Sequence, residues 1–199
     1  MNRGISQQDV DEALREIDVL IDSIGDEIAD TISGVTERGT PINGRLVVHG
    51  GLGYQVLGTA DHPFFTIRSG FDAAEARAAE VASDGGQAMQ FTETDLDSVR
   101  RQFRAQVGDD DLGDIREGLI NRLSRGPLAV SLNADEEFVT GFEVSGKLFV
   151  FDEDIGPQEF YDEVQTVISA MWRGKEYLVN EYELRDQVDT DDIGPRGFE

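Results

Sequence analysis

An apolar stripe runs through the N-terminal part of the chain. Val10, Leu14, Ile17, Ile21, Ile24 and Ile28 recur at alternating spacings of four and three residues. A spacing that averages about 3.5 residues keeps side chains on one narrow side of an α-helix. Asp and Glu fill many of the intervening positions, which gives the opposite side to water. Ser6 stands three residues before Asp9, the pattern of a capping box at a helix start. The stripe predicts a helix that runs past Ile28 and is ended by Gly34, Gly39 and Pro41. Such a stripe can pack on the chain's own sheet, or it can pair with a second helix in a dimer or a partner complex.

After the helix the pattern changes to short apolar runs. Residues 44–49 (GRLVVH) read as a strand, Gly50-Gly51 as a tight hairpin turn and residues 54–57 as the partner strand. Glycine supplies the positive φ that such turns need. Residues 63–67 (PFFTI) read as a third strand. Asp72-Ala73-Ala74-Glu75 is a second capping box, opening an Ala-rich helix. A further helix starts at Thr92 or Thr94 and carries Leu96, Val99, Phe103 and Val107. A short one starts at Asp114 and is closed by Gly126-Pro127. Residues 128–132 could form a strand. Residues 138–144 and 147–151 read as better ones, joined in a hairpin at Ser145-Gly146. The second is apolar on both faces, Leu148 and Val150 against Phe149 and Phe151, as expected of a central position. Pro157 begins the last helix. Its buried face takes Phe160 or Tyr161, then Val164, Ile168, Met171 and Trp172, with Gly174 as a weak point. Tyr177, Leu178 and Tyr182 carry that face onward.

The order helix, three strands, helices, two strands, helix predicts an α+β fold. An antiparallel sheet would have helices packed on one face. Residues 1–188 read as a single domain and 189–199 as a disordered acidic tail.

Charge narrows the setting. The formal net charge is -24 over 199 residues, with 41 acidic and 17 basic side chains. Every quarter of the chain is net negative, so the acidity is a property of the whole surface and not of one segment. Only Lys147 and Lys175 are lysines, and the other basic residues are arginines. At low salt such a surface repels itself and opposes compaction. At molar salt the Debye length falls to about 3 Å, which screens the repulsion and leaves hydrated carboxylates. The composition resembles that of acidic proteins of halophilic archaea. It implies abundant K+ and bound water at the surface and a cytoplasmic location.

The same charge disfavours binding to nucleic acid or to an anionic membrane. No run of apolar residues is long enough for a transmembrane helix. Cysteine is absent, which excludes disulfides and thiol chemistry.

Catalytic motifs are missing. Gly50-Gly51-Leu52-Gly53 lies between strands and lacks dinucleotide-binding spacing. There is no phosphate-cradling P-loop, no nucleophile elbow and no HExxH zinc motif. His49 and His62 could meet at neighbouring strand ends, with Asp61, in a small acid-base or metal site. Lone histidines are more often structural. The acidic runs at 109–111 and 152–154 lack calcium-loop spacing and read as solvated surface. No catalytic residue, metal or cofactor is therefore assigned. Arg100, Arg101, Arg104, Arg116, Arg122 and Arg125 gather in the least acidic part of the chain. They can pair with nearby acids. Alternatively Arg100, Arg101 and Arg104 can hold an anionic ligand.

The hairpin read at 138–151, followed by the amphipathic helix from Pro157 to Trp172, resembles the type III secretion chaperone-like fold, which includes the YbjN-type proteins. That resemblance implies a non-enzymatic homodimer that binds another protein by its helices or a sheet edge. The stripe Val10, Leu14, Ile17, Ile21, Ile24 and Ile28 would be the binding or dimer surface. An alternative is a small-ligand binder or enzyme using His49, His62 and the Arg100–Arg125 cluster. A third is a structural subunit of an assembly. Dialysis from molar salt into dilute buffer is expected to unfold the chain, seen as loss of the helical far-UV CD signal. An unchanged spectrum would overturn the salt-adapted reading.

Overall fold

The computed structural model describes residues 5–83, 93–107, 112–124, 126–135, 138–151 and 155–182. These form α1 (Gln7–Ser23), β1 (Glu27–Val35), β2 (Pro41–His49), β3 (Leu52–Thr59), β4 (Phe65–Asp72), α2 (Ala73–Ser83), α3 (Glu93–Val107), α4 (Leu112–Leu123), β5 (Ala129–Asp135), β6 (Phe138–Leu148) and α5 (Pro157–Glu181). The fold is α+β, and its open sheet has the order β1-β2-β3-β4-β6-β5. The chain divides into two compact units. One takes Met1–Ser69, Gly126–Ala129 and Val144–Ala170; the other takes Gly70–Arg125, Val130–Glu143 and Met171–Glu199.

In the first unit α1 opens on the expected capping box. The Ser6 backbone N–H donates to Asp9 Oδ2 at 2.7 Å, and the Asp9 N–H donates to Ser6 Oγ at 3.3 Å. Val10, Leu14, Ile17 and Ile21 are buried, each contributing about 1.5–3 kcal/mol of apolar burial. Their side of the helix lies on β1, β2 and β3. Two polar clamps fix it there. Arg45 on β2 grips both carboxylate oxygens of Asp18, at 2.8 and 2.7 Å. Asn43 donates to Asp11 at 2.6 Å.

The helix stops sooner than the stripe predicts. Gly25 adopts φ +80°, a left-handed conformation that ends a helix and suits glycine. Residues 27–35 then form β1, antiparallel to β2, so four strands and not three precede the middle helices. The β-branched residues Ile28, Thr31, Ile32 and Val35 favour the extended form. Ile24 is the helix C-cap, and Ile28 is exposed on a strand. The Gly50-Gly51 turn is as read: both residues have positive φ, 55° and 84°, between paired β2 and β3.

The expected hairpin at Ser145-Gly146 is corrected to one continuous strand, β6. Gly146 is buried there without positive φ. A Cβ on it would lie 3.3 Å from Val167 Cγ2 on α5. This glycine serves close approach of strand and helix, not a turn. The hairpin partner of β6 is β5, beside it at the end of the sheet. The run 147–151, read as a strand apolar on both faces and therefore central, does not form one: β6 ends at Leu148, the chain turns at 150–151, and Phe149 is exposed. β6 itself lies between β4 and β5.

In the second unit, Asp72 caps α2 by accepting from the Ala74 and Glu75 N–H groups, at 2.8 and 3.3 Å. Leu112, Ile115, Leu119 and Leu123 make the buried face of α4, which begins just before the expected Asp114. Along α5, Phe160, Val164, Ile168, Met171, Leu178 and Tyr182 are buried, whereas Tyr161 is exposed. Gly174 is not a weak point. A Cβ there would meet Phe142 Cε1 at 2.7 Å and Leu123 Cδ2 at 2.9 Å. The acidic runs at 109–111 and 152–154, Arg125 and the segment 189–199 lie outside the described residues.

Gly174→Ala should gain helix propensity of about 1 kcal/mol yet lose roughly 1–3 kcal/mol to overpacking. The expected net result is a lower urea midpoint at high salt. A raised midpoint would show that the Phe142–Leu123 contact yields without cost.

Candidate functional site

The two histidines do not meet. His49 ends β2 at the Gly50-Gly51 turn, whereas His62 follows β3 at its opposite end. His62 is exposed and stacks on Phe64, with ring centroids 5.1 Å apart. Phe64 in turn meets exposed Phe149 edge-on and carries the Lys147 ammonium 4.7 Å above its ring. Asp61 is engaged elsewhere, accepting from Thr36 and Thr40.

His49 belongs to a different constellation, around Asp26. That residue follows Gly25 at the point where α1 turns into β1. Its carboxylate is only 4% exposed. One oxygen lies 2.7 Å from His49 Nδ1, and the other accepts from the Tyr54 hydroxyl at 2.9 Å. On the far side of the imidazole, Gln165 Nε2 of α5 lies 2.6 Å from His49 Nε2. A neutral ring satisfies both contacts: Nδ1–H donates to Asp26, and the Nε2 lone pair accepts from the Gln165 amide. Burial, and then the Asp26 charge, push the Tyr54 hydroxyl far up.

Both imidazole nitrogens are thus occupied, so no nitrogen is open to exchange a proton with a substrate. The geometry is that of a pin between β1, β2, β3 and α5. Among the described residues no group of three or more His, Asp or Glu side chains could hold a metal ion.

The arginine cluster separates into parts. Arg122 lies 4.0 Å over the Tyr177 ring and donates to the Gly118 carbonyl. Arg116 is exposed on α4. Arg100, Arg101 and Arg104 stay together, lining an open groove of about 580 Å³ with Asp97, Asn133, Phe138 and Thr140. The groove belongs wholly to the second unit. Its α3 wall is seated by Phe103, which stacks on Tyr182 at 4.7 Å. Tyr182 also meets Phe138 edge-on, and its hydroxyl donates to the Val139 carbonyl. Burial raises the Tyr182 hydroxyl, with Asp72 adding to the shift.

The sequence reading missed Asn133, Phe138 and Thr140. They come from β5 and β6, more than twenty-five positions beyond the end of α3, and only the strand pairing brings them there. Asp26 was hidden for a related reason. The pairing of Glu27 with Val48 sets it beside His49, and a reading of that segment as helix removes the pairing.

The stripe residues are placed plainly by burial. Val10, Leu14, Ile17 and Ile21 are covered by the chain's own sheet, so the surface they offered to a partner is already occupied. The open apolar positions of this region are Val19 on α1 and Ile28 and Val35 on β1. β1 is the edge of the sheet.

No family model matches the chain, and no curated protein matches it. A crystal structure of an uncharacterized protein from Methanothermobacter thermautotrophicus is similar in fold, with a TM-score of 0.62 and 11% sequence identity. The match covers 85% of this chain and 99% of that one. At this identity the likeness concerns the fold alone.

Asp26→Ala is expected to cost about 1–3 kcal/mol, because it strands the Tyr54 hydroxyl and the His49 N–H without their acceptor. Urea unfolding at high salt reads this, and His62→Ala serves as the control that should leave the midpoint in place. Equal effects of the two variants would remove the pin.

Proposed function

We propose that this chain is a non-catalytic, chaperone-like protein-binding module of a salt-adapted cytoplasm, and that it forms a homodimer through the edge strand β1. The supporting observation is the exposure of that edge. Eight of its nine residues are exposed, with Val35 at 69%. A long open edge presents unpaired N–H and C=O groups that another strand can meet.

Part of the edge is guarded. The pairing slips between Ile28 and Asp30 in a bulge, and the Asp30 carboxylate takes the Thr31 N–H at 2.7 Å. Pairing between copies therefore runs along Ile32–Val35, where no side chain is charged. The committed imidazole of His49 favours binding over chemistry. Among the described residues no helix is long and apolar enough to cross a membrane, which fits a partner met in solution.

Light scattering at high salt is expected to give twice the chain mass of 21.9 kDa. The double variant Gly34→Lys, Val35→Lys should give a monomer with unchanged CD. A Cβ at Gly34 meets nothing within 4 Å and the backbone there has no positive φ, so the change does not strain the fold. A monomeric parent, or a variant that remains dimeric, would overturn the edge-pairing reading.

A further inference from the structure

We propose that the groove beside α3 is a binding site for a phosphate monoester with a compact apolar body. Three guanidinium groups within five residues line one depression in a chain that carries 41 acidic side chains. Arginine suits this task because its planar fork matches two phosphate oxygens at once. Arg101 spends only its Nε, on the Asp97 carbonyl at 3.2 Å. Its two terminal nitrogens remain for a ligand. Arg100 reaches the Asp97 carboxylate at 3.5 Å, the outer limit of a hydrogen bond and on an exposed pair. A phosphate dianion offers that fork a stronger acceptor than this pair does.

Among the described residues, the rest of the lining is not acidic. The Asn133 amide and the Thr140 hydroxyl both donate to Asp72, whose other oxygen caps α2. Asn133 keeps a second N–H for a ligand oxygen. Phe138 and Ala134 add an apolar part to the lining. A volume of about 580 Å³ falls in the range of small-molecule pockets, which is roughly 300–1,000 Å³. A bare phosphate would leave most of that space to water, whereas a monoester places its carbon body against Phe138. Molar salt screens long-range attraction, but bidentate hydrogen bonds at contact distance persist.

This inference is independent of β1, because the groove lies in the other unit and binding is read without reference to oligomeric state. The test is calorimetric titration of the full chain in about 2 M KCl, a salt level at which diffuse attraction is screened. The probes are phenyl phosphate, phenol and inorganic phosphate. Phenyl phosphate is expected to bind at least about tenfold more tightly than either of the others, a gap of roughly 1.4 kcal/mol. Arg101→Gln and Arg100→Gln should each weaken it by about tenfold or more, in line with the strength of a charge-assisted fork. Arg116→Gln, on α4, should leave it unchanged. Thermal unfolding confirms that each variant is folded.

Equal binding of phenol would show an apolar site without phosphate recognition and overturn the proposal. Equal binding of inorganic phosphate would remove the role of the ester body and overturn it too. Unchanged affinity in both groove variants, or no saturable binding of phenyl phosphate at millimolar concentration, would do the same.

Discussion

The carboxylate of Asp26 holds the first unit together at the place where a helix becomes a strand. Gly25 turns the chain, and Asp26 then enters the interior with a charge that needs partners. Tyr54 and His49 supply them, and Gln165 closes the far side of the imidazole. β1, β2, β3 and α5 thus converge on one buried acid. It sits just beyond the end of α1, where Ile24 and Ile28 would otherwise continue the apolar spacing of the helix. The same convergence accounts for the absence of open chemistry at His49: both ring nitrogens are used in holding the structure.

Close packing is the second organising constraint, and glycine marks it. Gly58 leaves room for the Phe65 ring on the neighbouring strand. Gly146 lets β6 approach Val167, and Gly174 lets α5 approach Phe142 and Leu123. None of these glycines has a positive φ. They are present for space and not for turning. Interiors packed to crystal-like density leave no room for even one more carbon at such points.

This difference explains how far the sequence could be read. The capping box at Ser6, the cap at Asp72, the Gly50-Gly51 turn, Pro157 and the buried face of α5 are local signals, and each was legible. The α+β class followed from their order. Gly25 was passed over and Gly146 misread because a glycine looks the same whether it ends a helix, turns a hairpin or admits a neighbouring side chain. Its role depends on what lies opposite, and opposition in a sheet is not local. The candidate sites suffered more. Arg100, Arg101 and Arg104 were visible as a cluster, but Asn133, Phe138 and Thr140 reach the same groove only through the β5 and β6 pairing.

The acidic surface gives these places their meaning. On a chain whose acidic residues are spread along its whole length, stretches without them stand out. The open part of β1 from Ile32 to Val35 is uncharged, and among the described residues the groove beside α3 has three arginines to one aspartate. The two lysines show a third departure: Lys147 lies over Phe64, and Lys175 over Phe71 and Trp172. Each lysine places its ammonium near an aromatic face. Burial lowers the Lys175 ammonium from its usual value. The two cations thus do different work: the lysines lie over rings, and arginines of α3 line a groove.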